Sequence, residues 1–274
     1  MLIDSHCHLN FKSFQGKVNQ VIDEADKRGV KVIVVPGTNI KTSKKSLQLA
    51  KDYQQVYSAV GIHPHHAGQI VKELGFKRLK KELEKLAGDK KVVAIGETGL
   101  DYYHYQKTKY KDYQINDQFK KIQKKLFLLQ IDLASQLNLP LIIHNRQASA
   151  DILKLFVSNS SLPNSKKGVF HCFQGGDKLL DWALKNDFYL GITGLVTYDK
   201  QMQQLVKKTP LKNLLLETDS PFLIPQPLKS EKNFPNKPAN IKIIAQTVAK
   251  LKNKSLKEVA EITTANVGQL FSLF

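Results

Sequence analysis

Apolar residues fall along this chain in short runs separated by longer stretches of helical period. Eight runs read as strands: Leu2–Asp4, Lys31–Pro36, Val56–Ile62, Val92–Gly96, Leu139–Ile143, Gly168–Phe170, Phe188–Ile192 and Asn213–Leu216. Between them, apolar positions recur three and four apart over Gln15–Gly29, Lys41–Asp52, Gln69–Ala87, Gln114–Leu137, Ala148–Ser158, Asp177–Lys185 and Asp199–Lys208. A last helical region, Ala239–Phe271, breaks near Asn253–Ser255. Strands that are apolar throughout belong to a sheet covered on both faces, and alternation with helices makes that sheet parallel. Eight such units in 274 residues predict a (β/α)8 TIM barrel of the α/β class, with residues 1–274 as a single domain. An open doubly wound sheet is the alternative, weakened because no G-x-G-x-x-G follows a strand. The Pro-rich stretch Pro221–Pro238 follows the eighth strand and reads as a long loop on the functional face.

Composition adds a class and a compartment. The chain is 42% hydrophobic and 24% charged, as a globular protein is. No run approaches the roughly 20 apolar residues that span a bilayer, so no membrane association is expected. No signal peptide is visible, and two cysteines, Cys7 and Cys172, make no disulfide framework. The expected compartment is the reducing cytoplasm. The net charge of +18 suits a polyanionic partner such as nucleic acid. Arginine occurs only at Arg28, Arg78 and Arg146. The remaining positive charge is lysine, spread along stretches such as Lys77–Lys91 and Lys107–Lys125, where solvated helix faces account for much of it.

The polar residues carry the functional signal. In a (β/α)8 barrel the active site is built from the C-terminal ends of the strands. His6 and His8 follow the first strand, two apart and therefore on one side of an extended chain. The third strand ends in His63-Pro64-His65-His66 and the fourth in Glu97-Thr98-Gly99-Leu100-Asp101. The fifth ends in His144-Asn145-Arg146, the sixth in His171, and the eighth in Glu217-Thr218-Asp219. Imidazole and carboxylate without a thiolate cluster are the donors of a divalent-metal site.

Six segments, DSHCHL (4–9), GIHPH (61–65), GETGLDYY (96–103), PLIIHNR (140–146), FHCFQG (170–175) and ETDSPFLIP (217–225), together resemble the TatD family of metal-dependent hydrolases, within the amidohydrolase-like barrels. The resemblance spans nearly the whole chain in family order. It implies a centre of two divalent metal ions and phosphodiesterase activity, typically on DNA. Carried over position by position, it implies His6, His8, Glu97, His144, His171 and Asp219 as ligands, with Glu97 bridging both ions. One ion is expected to take His6, His8, Glu97 and Asp219, the other Glu97, His144 and His171. The family's usual Asn-Glu-Pro after the eighth strand, with an arginine upstream, is replaced here by Asn236-Lys237-Pro238, with Lys229 and Lys232 upstream. Any ion pair built there must therefore differ.

Two neighbouring dications lower the pKa of a shared water and stabilise charge on a phosphoryl group. Asp219 and Glu97 are the expected catalytic carboxylates, Asp219 as acceptor of the water's proton. His63 and His65 lie within reach but match no ligand position. His65 is assigned to phosphate or leaving-group contact, with packing on the Pro64 turn as the alternative. Arg146, two residues past His144, is placed to clamp phosphate bidentately or to pair with Asp101 or Glu217. Glu217 is a candidate to orient a ligand histidine, and Tyr102 and Tyr103 to stack on an unpaired base. The leading functional reading is a metal-dependent deoxyribonuclease acting on DNA ends or single strands. The alternative is an acyl or amide hydrolase of the same metal class, such as an aminoacyl-tRNA deacylase. A catalytically silent nucleic-acid-binding barrel fits less well, because it gives converging ligand types no purpose. Mg2+, Mn2+ and Zn2+ are all candidate ions, and imidazole-rich ligation favours the transition metals.

Overall fold

The apolar runs become strands of one parallel sheet. The computed structural model describes residues 1–106, 114–158 and 167–274, so part of the lysine-rich 107–125 stretch lies outside the described residues. The strands are β1 (Leu2–Asp4), β2 (Val30–Pro36), β3 (Val56–Val60), β4 (Val92–Asp101), β5 (Leu141–Arg146), β6 (Gly168–Phe170), β7 (Tyr189–Ile192) and β8 (Leu214–Leu216). Each pairs with its successor in sequence order. The seam between β8 and β1 is closed just beyond the strand ends. There Ser5 N donates to Leu216 O at 3.0 Å, Asp219 N to His6 O at 2.9 Å and His8 N to Ser220 O at 2.7 Å. The result is the expected TIM barrel.

Helices α1 (Val18–Lys27), α2 (Ile40–Asp52), α3 (Ala67–Ala87, bent at Gly75), α4 (Asp117–Leu137), α5 (Ser149–Ser158), α6 (Asp177–Lys185) and α7 (Lys200–Lys208) alternate with the strands. The final helical region divides where expected, into α8 (Ile241–Lys252) and α9 (Leu256–Phe271). Asn253 turns to φ +51° to end α8, and Ser255 and Glu258 cap each other to start α9.

Two apolar layers hold the fold. The larger lies between strands and helices and includes Ile33, Val60, Ile95, Phe127, Ile143 and Phe170. Cys7 belongs to it, as barrel wall. The smaller fills the barrel, where Ile3, Val34, Ala59, Ala94, Ile142, Val169 and Leu215 meet Val267, Leu270 and Phe271 of α9. Around them α9 bonds to the strand starts: Asn266 Nδ2 donates to Leu214 O at 2.8 Å and Thr264 Oγ1 to Met1 O at 3.2 Å. The last helix thus stoppers the N-terminal mouth and leaves the C-terminal mouth to the polar strand ends.

Two strands outrun their apolar runs. β4 continues five residues past Gly96 and β5 three past Ile143, pairing Gly99 with His144, Leu100 with Asn145 and Asp101 with Arg146. A Cβ at Gly99, which sits at φ +138°, would collide with the His144 carbonyl, so this close pairing requires glycine. Glu97, Thr98 and Asp101 are consequently sheet residues, all buried.

Candidate metal centre

Asp4 fastens the first pair of histidines. Its Oδ1 accepts from Thr218 N at 2.9 Å and His6 N at 3.3 Å, and its Oδ2 from Thr218 Oγ1 at 2.5 Å. This locks β1 to β8 directly beneath the site. His6 and His8 then turn to the same side, as their spacing requires, with their Nε2 atoms 3.2 Å apart. Each is 3.5 Å from Glu97 Oε2. Asp219 Oδ1 lies 3.8 Å from His6 and 3.6 Å from His8. Burial, reinforced by the neighbouring His6, pushes the His8 imidazole down to about 3, so it is neutral and offers a lone pair near pH 7. Asp219 stands at φ +50° behind the bond from its N to His6 O, and burial pushes its carboxyl up to about 6.

The other oxygen of Glu97 serves a second pair. Oε1 is 3.0 Å from His144 Nδ1 and 3.5 Å from His63 Nε2. Burial opposes ionisation of Glu97, yet the His63, His144 and His6 imidazoles hold its carboxyl well below the usual range. Burial and the adjacent His144 keep His63 far below its ordinary value. Each of two outer imidazoles has a carboxylate behind it. His144 Nε2 is 3.0 Å from Asp101 Oδ2, and His171 Nδ1 is 2.8 Å from Glu217 Oε1. Against the pull of burial, these contacts raise His144 to about 9 and His171 to about 10. A carboxylate on the far nitrogen fixes tautomer and ring orientation, leaving the near nitrogen for a metal.

All six expected ligands therefore converge on one site. His171 stacks on His6 at 3.5 Å between centroids and has its Nε2 3.7 Å from Asp219 Oδ1. Glu217 of the β8 end draws it to that side. His63, at the end of the strand beside β4, takes the place next to His144. His63 Nδ1 accepts from His65 N at 3.1 Å, which aims Nε2 inward. His65 Nε2 meets Asp101 Oδ2 at 2.9 Å. The alternative of His65 merely packing on the Pro64 turn misses this buried contact with Asp101.

Asp101 is the residue that the sequence reading undervalued, as no more than a partner for Arg146. It gathers His65, His144, the Tyr105 hydroxyl at 2.9 Å and the Tyr103 amide at 2.9 Å. The signal was present: Asp101 lies four residues past Glu97, with the same face available once the strand continues. Buried Gln123 of α4 holds that strand end by two bonds, accepting from Asp101 N and donating to Asp101 O, both at 3.0 Å. Gln130, two turns on, clasps Ile62 in the same way. Arg146 reaches Asp101 only through Tyr105. Its guanidinium lies 4.1 Å over the Tyr103 ring and Nη1 donates to Tyr105 Oη at 2.9 Å. Tyr102 faces α4 and α5, its hydroxyl donating to Asp151 at 2.8 Å and Lys120 lying 5.1 Å over its ring. Lys237 has its own counter-charge, Glu24 of α1, at 2.9 Å.

The donor set fits a divalent cation. His6, His8 and Glu97 offer three ligand atoms within 4.8 Å of one another, and so do His63, Glu97 and His144, and His6, His171 and Glu217. Imidazoles grouped around a carboxylate are the donors that a borderline transition metal takes.

Comparison with known proteins agrees with this chemistry. The sequence profile of the family described as TatD related DNase matches residues 3–272. YabD of Bacillus subtilis, named an uncharacterized metal-dependent hydrolase, is 36% identical over 100% of both chains. YcfH of Escherichia coli, named likewise, is 31% identical over 99% of this chain and 96% of its own. The crystal structure of the Escherichia coli TatD homologue YjjV superposes with a TM-score of 0.84 at 28% identity, covering 100% of this chain and 98% of the other. With a matching profile end to end and relatives of equal length, this chain belongs to the TatD family of metal-dependent hydrolases.

Proposed function

We propose that the chain is a nuclease that hydrolyses phosphodiester bonds of DNA with two divalent ions, Mg2+, Mn2+ or Zn2+, held at the barrel mouth. The observation that carries this reading is the division of Glu97, Oε2 toward His6 and His8 and Oε1 toward His144 and His63. A carboxylate so divided could serve two ions at once. When bound, the ions lower the pKa of a shared water and neutralise charge on the phosphoryl group. His6, His8 and Asp219 would hold one ion and His144 and His63 the other, with Glu97 shared between them. His171, backed by Glu217, faces the first ion beside Asp219. Asp219, raised to about 6, is ionised at neutral pH yet basic enough to accept the water's proton. His65 and Arg146 line the second ion's side and contact the phosphate. The family description as a DNase and the net charge of +18 support a nucleic-acid substrate. The test is metal-loaded protein incubated with end-labelled single-stranded DNA beside an aminoacyl-tRNA control. Cleavage of DNA that chelation abolishes and a divalent ion restores is expected. Deacylation of the tRNA with intact DNA overturns the reading.

A further inference from the structure

A second feature of the barrel mouth is not used by this chemistry. Beside the metal centre opens a cleft of about 780 Å3 lined by Tyr198, Pro221, Phe222, Leu223, Lys229 and Phe234. Phe222 is 46% exposed and Phe234 54% exposed, two large apolar rings open to solvent on one cleft. The cleft is continuous with the centre. Phe222 N donates to Asp219 O at 2.9 Å, and Phe11, stacked on His8 at 4.3 Å, meets the Phe222 ring at 6.3 Å.

Its walls are built. The fully buried Asn236 carboxamide donates to Phe222 O at 2.7 Å and Thr218 O at 3.1 Å, fixing the loop that carries Phe222. Gln226 N donates to Thr197 Oγ1 at 2.9 Å, tying that loop to the turn after β7. Gly194 permits the approach, since a Cβ there would collide with Leu223 O. Among the described lining residues the one charged group is a cation, Lys229, whose Nζ sits 3.6 Å above the Tyr198 ring.

We infer that this cleft is a nucleobase subsite: it takes an unpaired base of the strand being cut, stacked on Phe222 and Phe234, with Lys229 on the adjoining phosphate. The inference rests on the proposed phosphodiesterase reading. Aromatic faces accept any base by stacking, and an ammonium beside them suits the linking phosphate, a combination typical of single-strand binding surfaces. A base held in a duplex cannot present its face, so the subsite selects single strands or frayed ends.

The test compares the metal-loaded wild type with the Phe222→Ala/Phe234→Ala double variant on two oligonucleotides. One is single-stranded and fully based; the other carries a base-free tetrahydrofuran unit scanned across the cleavage position. Loss of one stacked base is expected to raise KM about ten- to a hundredfold with kcat little changed. The double variant should show that rise on the based strand and no further rise on the base-free one. Lys229→Gln should reduce the salt slope of binding by about 0.7, one phosphate's worth for a single strand. Equal KM for wild type and double variant overturns the subsite. So does a double variant that becomes monomeric from a wild-type dimer while its oligonucleotide affinity is unchanged, which assigns the cleft to a second copy. If wild type cleaves neither strand, the phosphodiesterase reading fails by itself. Equilibrium binding of the based and base-free strands to both proteins then still decides the cleft, with equal affinities rejecting it.

Discussion

At the residue scale the centre depends on how buried carboxylates and imidazoles share charge. Glu97 is ionised deep in the barrel mouth because imidazoles face both its oxygens. Glu97→Gln keeps the shape and removes the charge that offsets two dications. It should lose at least one bound ion and two to four decades of turnover, about 3–5 kcal/mol of transition-state stabilisation. Its thermal midpoint should stay near wild type, since the apolar layers are untouched. Bound metal per chain, turnover and melting measured together decide it, and full metal content with normal turnover refutes the bridge. Asp101→Asn tests positioning instead of ligation. It leaves every proposed ligand in place but removes the carboxylate behind His144 and His65. Metal affinity should weaken about ten- to a hundredfold, and excess metal should restore most turnover. Turnover that stays low at saturating metal would mean that Asp101 touches the reaction directly.

At the element scale the barrel's two ends divide stability from function. Phe271, 3% exposed on α9, stoppers the N-terminal mouth against the inner layer. Phe271→Ala should cost about 3–5 kcal/mol of stability through the cavity it leaves. Turnover per folded molecule should not change, because the chemistry lies at the other mouth. Denaturant unfolding and activity of the folded fraction measure both, and a matching loss of kcat would show that the ends are coupled. The same division explains what was legible in the sequence. The eight strands were, since each is an apolar run. The ends of β4 and β5 were not, because Glu97, Thr98, Asp101 and His144 are polar and look like loop, although the sheet continues through them. His6, His8, Glu97 and Asp219 stood out at the strand ends, and the resemblance to the family marked them as ligands. The hold of Glu217 on His171 at 2.8 Å was not legible, since it is a contact across strands that no local pattern encodes. The Phe222–Phe234 cleft was hidden for a related reason: its rings come from one loop folded back by Asn236.

At the scale of the whole molecule, charge acts in two ways. With a net +18, DNA binding should weaken with salt at a log–log slope of about −0.7 for each single-strand phosphate neutralised. A flat affinity between low and moderate salt would mark the lysines as solubilising only. The second effect is on folding, and its sign follows from the protons that the metal-free protein holds. His144 at about 9 and His171 at about 10 both stand above the ordinary 6.5 of an unfolded histidine. Their contribution to stability is complete below pH 6.5 and is lost as pH rises through 9 and 10. Asp4, pushed by burial to about 8 from 3.8, acts in the same direction, holding a proton that the unfolded chain releases. His8, at about 3, works oppositely, but its window closes by pH 6.5. Lysines titrate above the interval and ordinary carboxylates below it. Between pH 6.5 and 9 the metal-free protein should therefore melt at progressively lower temperature. The metal-bound protein should not follow, because a ligand imidazole must shed its proton to bind and affinity rises over the same interval. The stabilisation conferred by a fixed concentration of Zn2+ or Mn2+ should thus widen from pH 6.5 to 9. Melting curves with chelator and with metal, at half-unit steps, measure it. A metal-free midpoint that rises across this window would mean that the imidazoles are not held protonated between Glu97, Asp101 and Glu217, and that the centre is preformed without its ions.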